Sequence, residues 1–209
     1  MDQPILIDHP LVQHKLSLLR RKSTETHVFR NTLTELGTLV AYEMTRDLPV
    51  VRRRIETPMS TTWGSTFETK NLVLVAVLRA GSAMVEGMLR VLPSARVGHI
   101  GLYREPTTLV PVEYYCKLPD QMERRLAFVV APVLATGNSA VAALERVKHA
   151  GAFSVKFACV VAAQQGVDNL RAHHPEVPVY AAAVDPELDA QGYILPGLGD
   201  AGDRMFGTR

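Results

Sequence analysis

The chain has 209 residues, 47% of them hydrophobic, and 23 basic against 21 acidic side chains give a formal net charge of +2. That length and apolar content suit one α/β domain with a substantial core. The near-neutral balance gives no bulk electrostatic argument for nucleic acid or a membrane surface, but it leaves room for a local arginine cluster around a phosphorylated small molecule. No apolar segment approaches the ~20 residues of a membrane helix and the N-terminus lacks a signal-type apolar run, so a soluble, cytoplasmic protein is expected. The two cysteines, Cys116 and Cys159, have no partners at metal spacing and read as reduced thiols.

Residues 1–9 read as an arm. A first helix is expected from Leu11 to Arg21, its basic positions Lys15, Arg20, Arg21 and Lys22 forming a solvated face. Ser23 and Thr24 can cap a second helix reaching Leu48, because Phe29, Leu33, Leu36 and Val40 fall on one helical stripe. These two helices either cover a sheet edge or build a subunit contact. Residues 50–71 are polar and read as short antiparallel strands or loop, with Arg52, Arg53 and Arg54 solvated or paired with neighbours. Leu72 to Leu78 is a continuous apolar run, the mark of a strand buried on both faces. It stops at Arg79-Ala80-Gly81-Ser82, and a helix to Leu92 follows. Val97 to Tyr103 is a strand ended by Arg104. In residues 105–124, Val110, Val112, Tyr114 and Cys116 alternate with other residues between flanking prolines, which suggests a hairpin standing off the sheet. Leu126 to Val130 is a buried strand, Thr136-Gly137-Asn138-Ser139 a loop, and an alanine-rich helix runs on to Gly151. Val155 to Ala162 reads as strand, Val167 to His173 as helix and Val177 to Val184 as strand. The glycine-rich tail from Gly192 to Arg209 reads as loop with ordered turns.

This order predicts an α/β fold, a parallel sheet with helices on both faces, an N-terminal helical extension and a protruding hairpin. Ligands of such sheets sit beyond the carboxyl ends of the strands. Three of those ends carry Arg79, Arg104 and the loop 136–139. The last would aim backbone N–H groups and a helix dipole at one spot, with the Thr136 and Ser139 hydroxyls beside them, and that favours a phosphate. An ordinary strand–turn–helix with Ser139 as N-cap fits the same residues. Two arginines and such a loop on one sheet edge point to a ligand with more than one phosphate.

Several stretches carry a resemblance. His9-Pro10-Leu11-Val12-Gln13-His14-Lys15-Leu16, Val77-Leu78-Arg79-Ala80-Gly81, Gly101-Leu102-Tyr103-Arg104, Lys117-Leu118-Pro119 and the long tail from Gly192 to Asp203, followed by Phe206-Gly207-Thr208, resemble the uracil phosphoribosyltransferases, within the type I phosphoribosyltransferases. The resemblance implies one domain over 1–209, made of N-terminal arm and helices (1–48), hairpin or lid (105–124) and uracil-binding tail (185–209). It implies pentosyl transfer: uracil plus 5-phosphoribosyl 1-diphosphate (PRPP) gives UMP plus diphosphate, with Mg2+ carried on the donor's diphosphate and no metal site made of side chains. In that reading Ala131, Pro132, Val133, Leu134, Ala135, Thr136, Gly137, Asn138 and Ser139 hold the ribose 5-phosphate. Arg79 and Arg104 hold the diphosphate. Ile194, Gly199, Asp200 and Ala201 read uracil largely through backbone groups, so cytosine should be a poor substrate. Arg104 and Asp200 are the catalytic candidates, the latter near sugar, metal waters and base. No side-chain nucleophile is needed, because positioning and charge stabilisation on the leaving group suffice. A non-proline cis peptide is expected beside Arg79.

The chain also departs from that family's pattern, whose loop reads Asp-Pro-Met-Leu-Ala-Thr-Gly-Gly-Ser. Ala131 replaces an aspartate that would accept hydrogen bonds from the ribose hydroxyls, a loss of about 1.5–3 kcal/mol. Asn138 replaces a glycine, which asparagine tolerates best if the position needs positive φ. Gln164-Gln165 replaces proline–glutamate. These departures leave open a degenerate paralogue that binds nucleotide or phosphate with little catalysis, or a related RNA-binding pyrimidine regulator. The resemblance further implies a homodimer or higher homo-oligomer and a GTP effector. His173-His174 reads as a solvated helix end, and Trp63 and Cys116 receive no role.

Overall fold

In the computed structural model the described residues are 3–67, 69–104 and 111–208, with Arg104 described by its backbone alone. The chain opens with a short strand β1 (Ile5–Leu6), then α1 (Pro10–Arg20) and α2 (Thr26–Met44). The expected arm therefore joins the sheet. His9 caps α1 by accepting the Leu11 N–H at its Nδ1, 3.1 Å away, with Pro10 in the first turn. The expected cap of α2 is not used: the Thr24 hydroxyl donates to the Leu18 carbonyl instead, and the helix starts after Glu25. Its stripe of Phe29, Leu33, Leu36 and Val40 is fully buried, at roughly 1.5–3 kcal/mol per side chain. The helix ends at Met44, short of Leu48, where the Thr45 hydroxyl turns back to the carbonyls of Ala41 and Tyr42.

Strands β2 (Val51–Glu56) and β3 (Thr61–Thr66) form an antiparallel hairpin exposed along nearly its whole length. Next come β4 (Leu72–Leu78), α3 (Gly81–Leu89), β5 (Arg96–Arg104) and β6 (Pro111–Lys117). The hairpin expected to stand off at 105–124 is corrected here. β6 pairs antiparallel with β5 and forms the last strand of the main sheet. Gly101 permits this, since the Tyr114 ring lies 2.6 Å from where a Cβ would be. The protruding hairpin is β2–β3. The expected lid tip, 105–110, lies outside the described residues.

The rest of the chain is β7 (Leu126–Val130), β8 (Val133–Leu134), α4 (Asn138–His149), β9 (Ser154–Ala158), β10 (Val161–Ala163), α5 (Gln164–His173), β11 (Val179–Ala181), β12 (Ala183–Asp185), β13 (Glu187–Leu188), β14 (Ile194–Leu195) and α6 (Ala201–Phe206). Among the described residues the main sheet runs β1-β11-β9-β7-β4-β5-β6, parallel except for β6. A second, three-stranded parallel sheet runs β12-β10-β8. The two long strands expected at 155–162 and 177–184 are thus each broken and shared between the sheets. The tail, expected as loop, holds β14 and α6.

Alternation in β4 divides the core. Leu74 and Ala76 face the layer built by α2 and α3, whereas Val73, Val75 and Val77 pack with Phe157, Leu144 and Val167 on the other face. β7, β9 and β11 each leave the main sheet at the same end and continue as β8, β10 and β12. That shared bend brings the loops after these strands together at one edge.

Candidate active site

The loop between β7 and α4 is shaped by one residue. Gly137 takes φ of +87°, a left-handed conformation that suits glycine, and it occupies the N-cap of α4 with no side-chain cap bond. The alternative reading, an ordinary turn with Ser139 as N-cap, does not hold. The first N–H groups of α4 are left without a capping side chain from Gly137, which suits an incoming anion. Asn138 does not sit at positive φ. Its Oδ1 accepts from Asn169 Nδ2 at 2.8 Å, and the same nitrogen donates to the Thr136 carbonyl at 2.8 Å. The Asn138 side chain is therefore tied to α5 and turned from the cavity, which leaves only its backbone N–H at the helix start, while Asn169 braces the loop from behind.

Arg79 follows β4, and the peptide joining it to Leu78 is cis, as the resemblance implied. Its Nη2 lies 3.3 Å from Asp203 Oδ1, and its guanidinium sits 5.4 Å from the centre of the Phe206 ring. The side chain is 52% exposed, so its charge stays available at the cavity mouth.

The tail is anchored by an ion pair that the sequence did not suggest. Arg20, expected on a solvated face, donates to both oxygens of Asp185 at 2.6 and 2.7 Å and to the Gly197 carbonyl at 2.8 Å. Asp185 also accepts the Gly197 N–H at 2.8 Å. Burial alone would raise the Asp185 carboxyl pKa. The Arg20 hydrogen bond, the Gly197 N–H and the Arg20 charge outweigh it and hold the carboxyl below its usual value. Arg204 adds a second tie, donating to the carbonyls of Leu19, Leu198 and Arg21 and lying 4.5 Å from the centre of the Phe29 ring. Desolvation lowers its pKa from the usual arginine value. The N-terminal helices thus fix the tail in place. At its far end Asp200 caps α6, its Oδ1 accepting the Asp203 N–H at 2.8 Å.

Between these parts lies a cavity of about 800 Å³, lined by residues 77–80, 102, 131–137, 139–140, 191–194 and 198–202. Of the expected site residues, Arg79, Ala131, Pro132, Val133, Leu134, Ala135, Thr136, Gly137, Ser139, Ile194, Gly199, Asp200 and Ala201 come together there. Arg104 closes β5 by its backbone, and its side chain lies outside the described residues. Gln191, Tyr193 and Leu198 line the same cavity; they were expected only as part of the tail, not as individual site residues. No periodicity marks them, and only their place in the glycine-rich tail could have done so. No group of three His, Cys, Asp or Glu among the described residues could hold a metal ion. Asp200 is the cavity's one carboxylate among those residues.

The family model described as uracil phosphoribosyltransferase matches residues 6–208. This chain belongs to the uracil phosphoribosyltransferase family. A relative of that name from Delftia acidovorans is 59% identical over 204 residues, covering 98% of each chain. Another, from Rhizobium etli, is 54% identical over the full length of both. Among solved structures, the AQ2163 protein from Aquifex aeolicus superposes with a TM-score of 0.93 at 33% identity, over 98% of each chain. The Mycobacterium tuberculosis H37Rv orotate phosphoribosyltransferase, solved in complex with PRPP, superposes at 0.50 with 16% identity, over 85% of this chain and 91% of that one. That distant likeness speaks to the fold alone, which is the type I phosphoribosyltransferase α/β fold. No helix of this family member is long and apolar enough to cross a membrane among the described residues.

Proposed function

We propose that this chain is a uracil phosphoribosyltransferase acting in pyrimidine salvage, converting uracil and PRPP to UMP and diphosphate. The observation that carries the reading is the meeting, in one cavity, of a helix-start loop, an arginine and a rigidly held glycine-rich tail. The loop 136–139 suits a terminal phosphate, through the first N–H groups of α4 and the hydroxyls of Thr136 and Ser139. Arg79 faces the same space and suits the departing diphosphate, with Arg104 as its partner. Residues 194 and 199–201 suit uracil, whose two carbonyls and N–H can be matched by backbone groups fixed through Arg20 and Arg204. A rigid, hydrogen-bonding wall selects against a base with the wrong donor pattern.

Bond formation joins uracil N1 to C1 of the sugar while the C1–oxygen bond breaks with its electron pair leaving on diphosphate, and the N1 proton ends on that diphosphate. The protein contributes alignment of the two and charge stabilisation of the leaving group. The donor set fits Mg2+ carried by substrate phosphates. Asp200, the cavity's carboxylate among the described residues, would help hold such an ion through its waters, since Mg2+ in phosphate sites commonly uses one or two carboxylates. The proposal extends to one working domain over the whole chain, a cytoplasmic setting, a homodimer or higher homo-oligomer, and a possible GTP effector. The exposed Met59 and Trp63 on the β2–β3 hairpin support a surface for a second copy.

Steady-state conversion of uracil with PRPP and Mg2+ tests the reading, with cytosine as the control base. Turnover of uracil with little or none of cytosine is expected. An absence of UMP at millimolar PRPP would remove the proposal. Ala131→Asp is expected to raise activity about 10- to 100-fold, mainly by lowering the donor KM, because it adds a charged acceptor at the sugar.

A further inference from the structure

The loop that opens α4 contains a peptide whose direction is set from outside the loop. The bond between Thr136 and Gly137 is trans, and in a trans peptide the carbonyl and the N–H point in opposite directions. The Thr136 carbonyl points back to α5, where Asn169 Nδ2 donates to it at 2.8 Å. The Gly137 N–H therefore points away from α5, to the side on which Thr136, Gly137 and Ser139 line the cavity. Gly137 does not hold that direction by itself, because glycine takes either sign of φ. Turned over, the same peptide would aim a carbonyl oxygen at the ligand in place of a donor. Asn169 packs directly on this residue: its Nδ2 and Cβ lie 3.0 and 3.1 Å from where a Cβ of Gly137 would be.

The amide of Asn169 is oriented in turn. The same Nδ2 also donates to Asn138 Oδ1 at 2.8 Å. Two acceptors facing one NH2 group settle which end of the amide meets the loop, because its oxygen would face two other oxygens in the reverse orientation. Asn138 stands where the resembled pattern has glycine, and a glycine there offers no side-chain acceptor. We propose that Asn169 is a positioning residue for the phosphate site: its amide locks the 136–137 peptide with the N–H toward the ligand, and Asn138 holds that amide the right way round. The inference rests on the function proposed above, in which the 5-phosphate of PRPP lies against residues 136–139. Asn169 is not among the residues that line the cavity, so it acts on the ligand through the backbone it holds. A hydrogen bond to a charged phosphate strengthens binding about 10-fold or more, and reversing the peptide forfeits it.

The test is steady-state kinetics with uracil, PRPP and Mg2+ on the native protein, Asn169→Ala, Asn169→Asp and Asn138→Ala. Asn169→Ala is expected to raise the PRPP KM about 10-fold while the uracil KM stays within about threefold of native. Asn169→Asp keeps the size of the side chain but sets an acceptor against the Thr136 carbonyl, so it should raise the PRPP KM at least as much. That variant separates the donated hydrogen bond from packing. Asn138→Ala should raise it by less, about threefold, because Asn169 keeps its bond to Thr136. A PRPP KM within about threefold of native in both Asn169 variants would overturn the inference and leave the proposed function standing. So would a uracil KM that rises in step with the PRPP KM, since that marks a general loosening of the site. If the native protein makes no UMP, the proposed function fails, and UMP dissociation constants read by calorimetry on the same four proteins decide the role of Asn169. Weakening of about 10-fold in both Asn169 variants supports the lock, and a native constant no tighter than theirs overturns it.

Discussion

Arg79 and Asp203 meet at the cavity mouth, Nη2 to Oδ1 at 3.3 Å, and the Phe206 ring backs the same guanidinium. A cation from the end of β4 is thereby steadied by the C-terminal helix, the element that also carries the tail's last ordered turn. Arg79→Lys keeps the charge but loses the planar fork and the ring contact. It is expected to lower kcat/KM for PRPP about 10- to 100-fold. Because the side chain is half exposed, the melting temperature should stay within about 2 °C of the native value. Steady-state kinetics and a thermal melt separate the two effects, and a matching fall in both would contradict this reading of Arg79.

The Arg20–Asp185 pair has the opposite character. Asp185 is 5% exposed and Arg20 is the side chain that answers its charge. Arg20→Met leaves that carboxylate buried without its cation, a change of about 3–5 kcal/mol when a buried pair is broken from one side. The Gly197 turn loses a partner at the same time, so the uracil KM should rise as stability falls. Urea unfolding followed with and without uracil measures both. The sign of the acid dependence follows from the lowered Asp185 carboxyl. Its contribution is present above the usual carboxylate range and is lost as pH falls through the depressed value.

This pair also shows where the sequence stops being readable. The seven-residue run of β4 and the stripe of α2 are periodic, and periodicity reports burial directly. The helix-start loop was visible because its phosphate-favouring residues are contiguous. Arg20 and Asp185 are 165 positions apart, and a basic residue at a helix end looks the same whether it meets water or a buried carboxylate. The bend that passes β9 into β10 and β11 into β12 was hidden for a related reason. β9, β10 and β11 are mostly buried, so the apolar run continues through the break. Asn138 looked like a ligand residue by its position in the loop, and only the approach of Asn169 from α5 shows it turned aside.

His174, expected at a solvated helix end, is buried and makes stability depend on pH in the neutral range. Its Nδ1 accepts from the Lys148 ammonium at 2.7 Å, and its Nε2–H donates to the Val141 carbonyl at 3.3 Å. Burial is the largest cause holding its pKa below the usual histidine value. The Lys148 charge acts the same way, while the Val141 carbonyl, Glu176 and Glu145 pull in the other direction. The folded chain therefore takes up its proton later than the unfolded chain as pH falls. The stability tied to neutral His174 is complete above the unfolded pKa, about 6.5, and declines as pH drops below it. Melting temperatures between pH 8 and 5 should show this decline, and His174→Gln should flatten it. A slope unchanged by that substitution would place the titration elsewhere.

The closest approach behind the loop is at Gly166 in α5. A Cβ there would lie 2.2 Å from the Ala135 carbonyl oxygen and 2.7 Å from that of Leu134. Both are backbone atoms, so a rotamer change cannot relieve the contact. α5 cannot easily retreat, because Val167 and Leu170 are fully buried against the sheet. The loop must give instead, and it is held from the same helix through Asn169 and the Thr136 carbonyl. Gly166→Ala should then displace residues 134–136 toward the cavity. Overpacking of this kind costs about 1–3 kcal/mol, whereas an ångström of misplacement at reacting groups costs about 100-fold in rate. Activity is therefore expected to fall far more than stability, with kcat/KM for PRPP down about 100-fold in a protein that still melts cooperatively. A variant within threefold of native activity would mean that α5, and not the loop, absorbs the added methyl group.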